Sequence, residues 1–271
     1  MARCAVLGSP IAHSLSPALH RAAYAELGLD WTYDAVEVDE TGLPGFLDGL
    51  DASWRGLSLT MPLKRAVLPL LHDLDPWAEV SGAANTVVLD GERHGFNTDV
   101  PGAVAALREH SLDRVETAVV LGGGATAASV LLALSELGCR EALLLVRHPG
   151  RAADTLAAVE RNGHGPAVEV GFLSEPVPDA DVLVSTIPAA AQTEVLTAAA
   201  GRAGVVFEVV YDPWPTPLAV AAADAGRTLV SGLDLLVHQA ALQVPLMTGR
   251  DAPLEAMRAA GERELAERSR T

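Results

Sequence analysis

The sequence predicts an α/β protein of two units, each built around a mainly parallel β-sheet. Apolar strand-like segments alternate with helical segments along residues 1–71, which is the pattern of a largely parallel sheet. A second alternation begins near residue 115 with a strand, a glycine-rich turn and a helix. From residue 232 onward the sequence predicts only helices. These three observations together indicate two sheet-containing units and a helical C-terminal region.

The first unit opens with three strands separated by helices. We expect Ser16 to cap the first helix and Pro17 to occupy its first position. The expected strands are Arg3–Gly8, Trp31–Val38 and Trp54–Leu59, and the expected helices are Ser16–Leu27, Thr41–Leu50 and Pro62–Leu71. A β-hairpin follows, in which the strands Ala84–Leu89 and Arg93–Phe96 are joined by a turn at Asp90-Gly91. A further helix is expected at Val100–His110.

The second unit continues the alternation of strands and helices. Its strands are expected at Thr117–Leu121, Glu141–Val146, Val168–Gly171, Asp181–Thr186, Val205–Val210 and Thr228–Ser231. Its helices include Thr126–Leu137 and Asp154–Arg161, and the terminal helices are expected at Leu233–Leu246 and Pro253–Arg268. We therefore place the domain boundaries so that residues 1–99 join residues 233–271, while residues 100–232 form the other domain.

Composition limits the classes of partner and compartment. The net charge of −16 argues against nucleic acid or an anionic membrane as the main partner. No apolar run reaches eighteen residues, and the N-terminal segment does not resemble a signal peptide. Cys4 and Cys139 stand alone in the sequence, so they form neither a disulfide framework nor a zinc site. We expect two buried thiols in a cytoplasmic protein that needs no metal.

A glycine loop indicates dinucleotide binding. Gly122, Gly124 and Ala127 follow the spacing G-x-G-x-x-A between a buried strand and a helix. The first glycine permits the tight turn, the second lets the backbone approach a pyrophosphate, and the small third residue lets the helix pack closely. The positive end of the helix would bind an anion that this acidic chain otherwise repels. The alternative is an ordinary glycine loop between strand and helix.

The end of the next strand indicates which dinucleotide is bound. An acid at this place would accept a ribose 2′-hydroxyl, but no acid lies between Ala142 and Ala153. Two arginines, Arg147 and Arg151, stand there instead, and a guanidinium suits a 2′-phosphate. We therefore expect NADP rather than NAD. The alternative is that both arginines are solvated surface charges.

Lys64 is the only lysine in a chain whose other eighteen basic residues are arginine. An ammonium can release its proton when its surroundings tune it, whereas a guanidinium cannot. Lys64 is therefore a candidate for proton transfer, and Asp99 is a candidate acid–base partner. The alternatives are that Lys64 is a leftover surface residue and that Asp99 caps the helix that begins near Pro101.

Small polar side chains gather in the same part of the sequence and indicate a binding site. Open α/β sheets bind ligands beyond the carboxyl ends of their strands, where two of these segments lie. Ser14 and Ser16 can hold a carboxylate, while Thr60, Asn85 and Gln239 can bind hydroxyl groups. Each has a structural alternative: a turn for Ser14, a helix cap for Ser16, a backbone contact near the hairpin for Asn85, and a helix face for Gln239.

These motifs, taken in order, resemble the shikimate dehydrogenase family over nearly the whole chain. The family's opening pattern G-x-P-I-x-H-S-x-S-P-x-x-H is met from Gly8 to His20. The later matches are T-x-P-x-K at Thr60 to Lys64, A-x-N-T at Ala83 to Thr86, N-T-D-x-x-G at Asn97 to Gly102, the glycine loop, Arg147 with Arg151, Tyr-x-Pro at Tyr211 to Pro213 with Thr216-Pro217-Leu218, and G-x-x-x-L-x-x-Q-A at Gly232 to Ala240.

The resemblance implies a fold, an activity and roles for residues. It implies a mixed, mainly parallel substrate domain, a Rossmann-type NADP domain, and C-terminal helices that return to the first domain. It implies reduction of 3-dehydroshikimate to shikimate, by a monomer or homodimer. The implied roles are acid–base catalysis for Lys64 and Asp99, substrate binding for Ser14, Ser16, Thr60, Asn85, Tyr211 and Gln239, and cofactor binding for Gly122, Gly123, Gly124, Ala125, Arg147, Arg151 and Gly232.

The sequence departs from the family pattern at a few positions. Ser58 stands where asparagine is usual, Ala125 replaces a glycine of the loop, and Ala128 replaces a frequent basic residue. His148 follows Arg147 where threonine is usual, so two of these changes remove part of the expected grip on a phosphate. Two alternatives stay open: a quinate/shikimate dehydrogenase with relaxed NAD/NADP use, and a non-catalytic NADP-binding sensor.

Overall fold

The structure is a computed structural model that describes residues 1–268 and residue 270. Its contacts divide the chain into two compact units. The first unit consists of Met1–Thr98 and Leu236–Thr271, and the second of Asp99–Leu235. Each unit is built on one six-stranded sheet. The α/β fold predicted from the alternation of strands and helices is confirmed.

The first unit has a mixed sheet. Its strands are β1 (Ala2–Gly8), β2 (Trp31–Glu37), β3 (Trp54–Leu59), β4 (Asp73–Leu74), β5 (Thr86–Leu89) and β6 (Arg93–Phe96), and its early helices are α1 (Ser16–Glu26), α2 (Leu43–Asp48), α3 (Leu63–Ala66) and α4 (Pro76–Ser81). The strand order is β2-β1-β3-β5-β6-β4. Strand β1 runs parallel to β2 and β3, whereas β5 is antiparallel to β3 and β6. The predicted hairpin is therefore present as β5 and β6.

Two expectations about helices in this unit were wrong. Ser16 does not cap α1 but is its first residue, and the capping position belongs to Leu15. The expected helix Pro62–Leu71 is also broken, because only α3 and a separate 3-10 turn at Leu68–Leu70 form. Pro69 has no N–H to donate, and its ring would strike the carbonyl of Arg65 in a continuous helix.

Strand β4 and helix α4 were not expected from the sequence. The signal for α4 was present, because the side chain of Asp75 accepts the N–H of Ala78 at 2.8 Å and Pro76 occupies the first position. The same carboxylate accepts the N–H of Asn97 at 2.9 Å. Asp75 therefore connects the start of α4 to the end of the hairpin.

The second unit has a parallel sheet of Rossmann order. Its strands are β7 (Thr117–Leu121), β8 (Glu141–Val146), β9 (Ala167–Phe172), β10 (Ala180–Ser185), β11 (Ala203–Glu208) and β12 (Thr228–Val230), and its helices are α5 (Asp99–Glu109), α6 (Ala125–Glu136), α7 (Ala153–Asn162), α8 (Glu194–Ala198) and α9 (Pro217–Asp224). The order β9-β8-β7-β10-β11-β12, with every pairing parallel, is the 3-2-1-4-5-6 arrangement of dinucleotide-binding folds. The predicted Rossmann-type architecture is confirmed.

The last two helices are α10 (Gly232–Thr248) and α11 (Leu254–Arg268). From Leu236 onward they belong to the first unit, as the fold prediction expected. Helix α11 packs against α1, and Arg268 donates to the carbonyls of His13 and Ser14 at 2.6 and 3.3 Å. The Glu264 carboxylate accepts two hydrogen bonds from the Arg268 guanidinium, both at 3.1 Å, and so orients the guanidinium. The end of α11 thus holds the loop that precedes α1.

Cys4 and Cys139 are buried free thiols, as predicted. Within residues 1–268 and 270, every helix falls short of the length or the apolarity that crossing a membrane requires.

His20 makes the stability of the first unit depend on pH. Its ring is fully buried and stacks on Tyr33, with the ring centroids 4.1 Å apart. Burial lowers the pKa of His20 to about 4. The unfolded chain takes up a proton near pH 6.5, whereas the folded chain resists it until about pH 4, so stability is full above pH 6.5 and falls on acidification.

We expect the free energy of unfolding to lose up to about 1.4 kcal/mol per pH unit from this residue as pH falls from 6.5 toward 4. Denaturant titrations of the protein and of His20→Phe at pH 7.5, 6.5, 5.8 and 5.0 would measure it. The variant is expected to be less stable at pH 7.5 but to show the shallower dependence on pH. Equal slopes in the two proteins would contradict the assignment.

Candidate functional site

Two loops meet where the adjacent parallel strands β1 and β3 end. The N–H of Ser9 donates to the carbonyl of Met61 at 3.0 Å. A Cβ on Gly8 would overlap the Cγ2 of Thr60 and lie 2.9 Å from the Met61 carbonyl oxygen. Glycine is therefore required at the end of β1, because the loop that carries Ser14 and the loop that carries Thr60 are in direct contact.

The two serines predicted to bind a carboxylate lie together at the start of α1. Ser16 is buried and Ser14 is half-buried, and the Ser16 N–H donates to the Ser14 hydroxyl at 3.3 Å. The Ser14 oxygen is an acceptor in this bond, so its own proton stays available for another acceptor. Tyr33, which lies in strand β2, forms a side-chain hydrogen bond with Ser16.

Lys64 lies in α3, directly after the loop that contains Thr60. It is half-buried, and its backbone carbonyl accepts the N–H of Ala84 at 2.8 Å. The N–H of Leu59 in turn donates to the carbonyl of Asn85 at 2.7 Å. These two backbone bonds attach the Thr60 to Lys64 segment to the segment that carries Asn85.

Asn85 and Gln239, which lie far apart in the sequence, come together in the first unit. Asn85 Nδ2 donates to Gln239 Oε1 at 3.1 Å and to Thr98 Oγ1 at 2.9 Å. The N–H of Thr98 donates back to Asn85 Oδ1 at 2.9 Å. The structural alternative for Asn85, a contact with backbone near the hairpin, is thus present together with the hydrogen bond to Gln239.

Sequence reasoning missed the residues that support this cluster. Gln243 donates to Gln239 Oε1 at 3.0 Å and accepts from Ser58 and His20 at 2.6 and 3.1 Å. Tyr33 donates to Ser58 at 2.6 Å. Gln243 lies one helical turn after Gln239, and that spacing was the signal that would have identified it.

Asp99 and Tyr211 belong to the second unit. Asp99 is buried and is the first residue of α5, where the helix dipole favours a carboxylate. Tyr211 is half-buried in the segment after β11. Both ends of that segment are tied to the buried Glu208, which accepts the Val210 N–H at 3.1 Å and the Thr216 hydroxyl at 2.9 Å. Burial raises the pKa of Glu208 and these hydrogen bonds oppose the rise.

The glycine loop has the geometry that an anion-binding turn needs. Gly122 has a φ of 105°, and a Cβ there would overlap the hydroxyl of Thr186. Gly123 packs against the carbonyl of Arg151, which a Cβ would approach to 3.0 Å. Gly124 is exposed with open space around it, and α6 begins at Ala125. Helix geometry leaves the first N–H groups of α6 without acceptors inside the helix.

The two predicted phosphate-binding arginines are exposed beside this loop. Arg147 directly follows β8. Arg151 lies in a 3-10 turn, and its backbone N–H donates to the His148 carbonyl at 2.9 Å. Gly232, the last assigned cofactor residue, is buried, and a Cβ there would overlap the carbonyl oxygen of Val209. Close packing within the second unit is therefore sufficient to explain glycine at position 232.

Comparisons with known proteins identify the relatives of this chain. A family model described as the shikimate dehydrogenase substrate binding domain matches residues 6–87, and one described as the shikimate 5'-dehydrogenase C-terminal domain matches residues 232–260. Shikimate dehydrogenase (NADP(+)) of Methanopyrus kandleri is 37% identical, over 94% of this chain and 93% of that protein.

Two solved structures have the same fold. The shikimate dehydrogenase of Mycobacterium tuberculosis superposes with a TM-score of 0.86 at 39% identity, covering 97% of this chain and 100% of that one. The Thermus thermophilus enzyme, in complex with NADP(H) and shikimate, has a TM-score of 0.81 at 35% identity, covering 97% and 99%.

Two glycine substitutions separate folding from ligand binding in the glycine loop. Gly122→Ala places a side chain at positive φ against Thr186, so we expect a loss of about 1–3 kcal/mol in unfolding free energy. Gly124 has φ −91° and open surroundings, so Gly124→Ala is expected to keep the melting temperature while weakening dinucleotide binding about tenfold or more. Calorimetry and a binding titration would measure both, and full-affinity binding by Gly124→Ala would contradict the assignment.

Proposed function

Because the chain belongs to the shikimate dehydrogenase family, we propose that it reduces 3-dehydroshikimate to shikimate with NADPH, reversibly, as a step of aromatic amino acid biosynthesis. The single observation that carries the proposal is 37% identity to a shikimate dehydrogenase over 94% of the chain. The grouping of Asn85 with Gln239 in the first unit supports it. The two buried free thiols suit a reducing compartment, and we infer that the enzyme acts in the cytoplasm.

We assign substrate recognition to neutral donors of the first unit together with Tyr211. Ser14 and Ser16 would hold the carboxylate, which needs hydrogen-bond donors rather than a full positive charge. The Ser14 proton that stays available after its bond with Ser16 supports this role. Thr60, Asn85 and Gln239 would bind the ring hydroxyls.

We assign the acid–base chemistry to Lys64 and Asp99. Reduction of the ketone places negative charge on the substrate oxygen, and that oxygen must receive a proton. Lys64 would donate this proton in the direction of reduction and accept it in the reverse direction. Its half-buried position after Thr60 supports the role, because a general acid must be accessible to the substrate group that it protonates.

We assign the cofactor to residues 100–232 and the substrate to residues 1–99 with 233–271. When bound, NADPH supplies the hydride. Gly122, Gly123 and Gly124 fit a pyrophosphate, because the turn has a positive φ and Gly124 leaves open space. Ala125 begins the helix whose N-terminus would face the phosphates. Arg147 and Arg151 would bind the 2′-phosphate. We also assign Gly232 to the cofactor-binding site.

Removing the amine tests the assignment of Lys64. We expect Lys64→Met to lower kcat by about 10²–10⁴, the usual range for a general acid. Lys64→Arg keeps the charge but not a proton that can be transferred, so we expect it to be nearly as damaging. Steady-state kinetics in both directions would measure the effect. Unchanged kcat in Lys64→Met would contradict the role, and recovery in Lys64→Arg would reduce it to electrostatics.

The choice of cofactor tests the two arginines. We expect a higher kcat/KM with NADPH than with NADH, and Arg147→Gln or Arg151→Gln to lower only the NADPH value, about tenfold or more. Arg140→Gln is the matched control, because Arg140 is an exposed arginine that precedes β8, at the opposite end of the strand from Arg147. Shikimate and quinate would each be measured with NADP and NAD. A preference for NADH would contradict the assignment.

A further inference from the structure

A run of buried hydrogen bonds connects the candidate substrate-binding groups inside the first unit. We name it the amide chain, and its members are Tyr33, Ser58, Gln243, Gln239 and Asn85. Each of these side chains is at most 7% exposed. Ser58 and Gln243 are separated by 185 positions in the sequence yet lie 2.6 Å apart. Hydrogen bonds in a buried run of this kind fix the orientation of each member through that of its neighbours.

The first half of the amide chain determines how the Gln243 amide is oriented. Tyr33 donates to Ser58, so the Ser58 proton is directed to Gln243 Oε1. His20 lies on the same side, with its Nε2 at 3.1 Å from Oε1. In the described part of the chain His20 Nδ1 meets no partner, and burial holds the pKa of His20 near 4, so the single proton of the neutral ring lies on Nε2. Two donors therefore converge on Gln243 Oε1.

The Gln243 nitrogen consequently faces the two acceptors on its other side. Gln243 Nε2 donates to Thr86 Oγ1 at 2.8 Å and to Gln239 Oε1 at 3.0 Å. The Thr86 hydroxyl then donates to Asn85 Oδ1 at 2.9 Å. Rotation of the Gln243 amide by half a turn would bring donors against donors on one side and an oxygen against the Gln239 oxygen on the other.

The orientation of Gln239 follows from that of Gln243. Gln239 Oε1 accepts from both Gln243 and Asn85, so this oxygen is occupied. Its nitrogen has two N–H groups, of which one donates to the Leu236 carbonyl at 2.9 Å. The second N–H is what Gln239 can offer to a ligand. Gln239 is therefore set to act as a donor rather than an acceptor.

We propose that Gln243 is a positioning residue that fixes Gln239 as a hydrogen-bond donor toward a substrate hydroxyl oxygen. Ser58 belongs to this support, because its hydroxyl is engaged by Tyr33 and Gln243. Ser58 stands where the family usually has asparagine, and in this chain its hydroxyl donates to Gln243 Oε1 at 2.6 Å. The identity of the ligand, shikimate, rests on the proposed function.

Kinetics of four variants test the proposal. Gln243→Met keeps the length of the side chain without its hydrogen bonds, and Gln243→Glu keeps the shape but replaces the donor with an acceptor. We expect both to raise the KM for shikimate about tenfold, with kcat within about threefold and the KM for NADP unchanged. Tyr33→Phe, which removes the donor to Ser58 and also the contact with Ser16, is expected to raise the KM for shikimate about threefold.

Tyr24→Phe is the matched control. Tyr24 is a buried tyrosine of the same aromatic cluster, with its ring centroid 6.3 Å from that of Tyr33, and its hydroxyl lies outside the amide chain. We expect its KM for shikimate to match that of the unmodified protein. A folded Gln243→Met protein with an unchanged KM for shikimate would overturn the proposal. So would a loss of melting temperature without any change in KM, because that is the effect of a purely structural residue.

A measurement without substrate separates this proposal from the proposed function. The side-chain amide resonances of Gln239, observed by 15N–1H NMR in the protein without ligand, report its hydrogen bonds directly. We expect them to shift and to exchange faster with solvent in Gln243→Met but not in Tyr24→Phe. If the unmodified protein failed to bind or oxidise shikimate, the proposed function would fall while the resonances still decided the role of Gln243. Unchanged Gln239 resonances in Gln243→Met would overturn the positioning role whatever the kinetics.

Discussion

The parallel pairing of β1 with β3 is the constraint on which the first unit depends. Because both strands end at the same edge of the sheet, the loop with Ser14 and the loop with Thr60 leave from neighbouring positions. Gly8 lets these loops touch, since any side chain there would strike Thr60. The other polar groups are then attached by backbone bonds, such as the one from Leu59 to Asn85. A shift of one residue in this register would turn the side chains of the strand to opposite faces.

The second unit depends on a different constraint, which is the backbone of its first strand-to-helix turn. Gly122 turns the chain at a positive φ, and Gly124 leaves open space just before α6. The Thr155 hydroxyl supports the turn by donating to the Gly123 carbonyl at 3.1 Å. The backbone N–H groups at the start of α6 give this acidic chain a local positive partial charge. The candidate groups of the first unit are side-chain dipoles oriented by buried hydrogen bonds, whereas the glycine turn of the second unit presents backbone N–H groups.

The sequence was most informative where the determinants of structure are local. Strand Trp54–Leu59 was predicted to the residue, and the glycine spacing identified the turn before α6, because apolar runs and glycines act over a few positions. Local reasoning failed at Pro69, whose effect on the helix after Pro62 was overlooked, and at Ser16. It also missed Gln243: the spacing of one helical turn from Gln239 was a local signal, but the hydrogen bond to Ser58 joins residues 185 positions apart. Most polar residues of the candidate site were identified from the residue pattern, and the family resemblance added Tyr211 and the roles. Their supporting hydrogen bonds required the structure.

The contact between Arg268 and the carbonyls of His13 and Ser14 gives the end of α11 an influence over the loop before α1. The Arg268 guanidinium holds that loop through hydrogen bonds, although the two segments are more than 250 positions apart in the sequence. A substitution near the end of α11 can therefore alter how firmly Ser14 and the loop before α1 are held, without any change in that loop itself. A purification tag fused after α11 would therefore lie next to the contact between Arg268 and the loop before α1. A tag placed before β1 would lie at the opposite end of that strand from the loop.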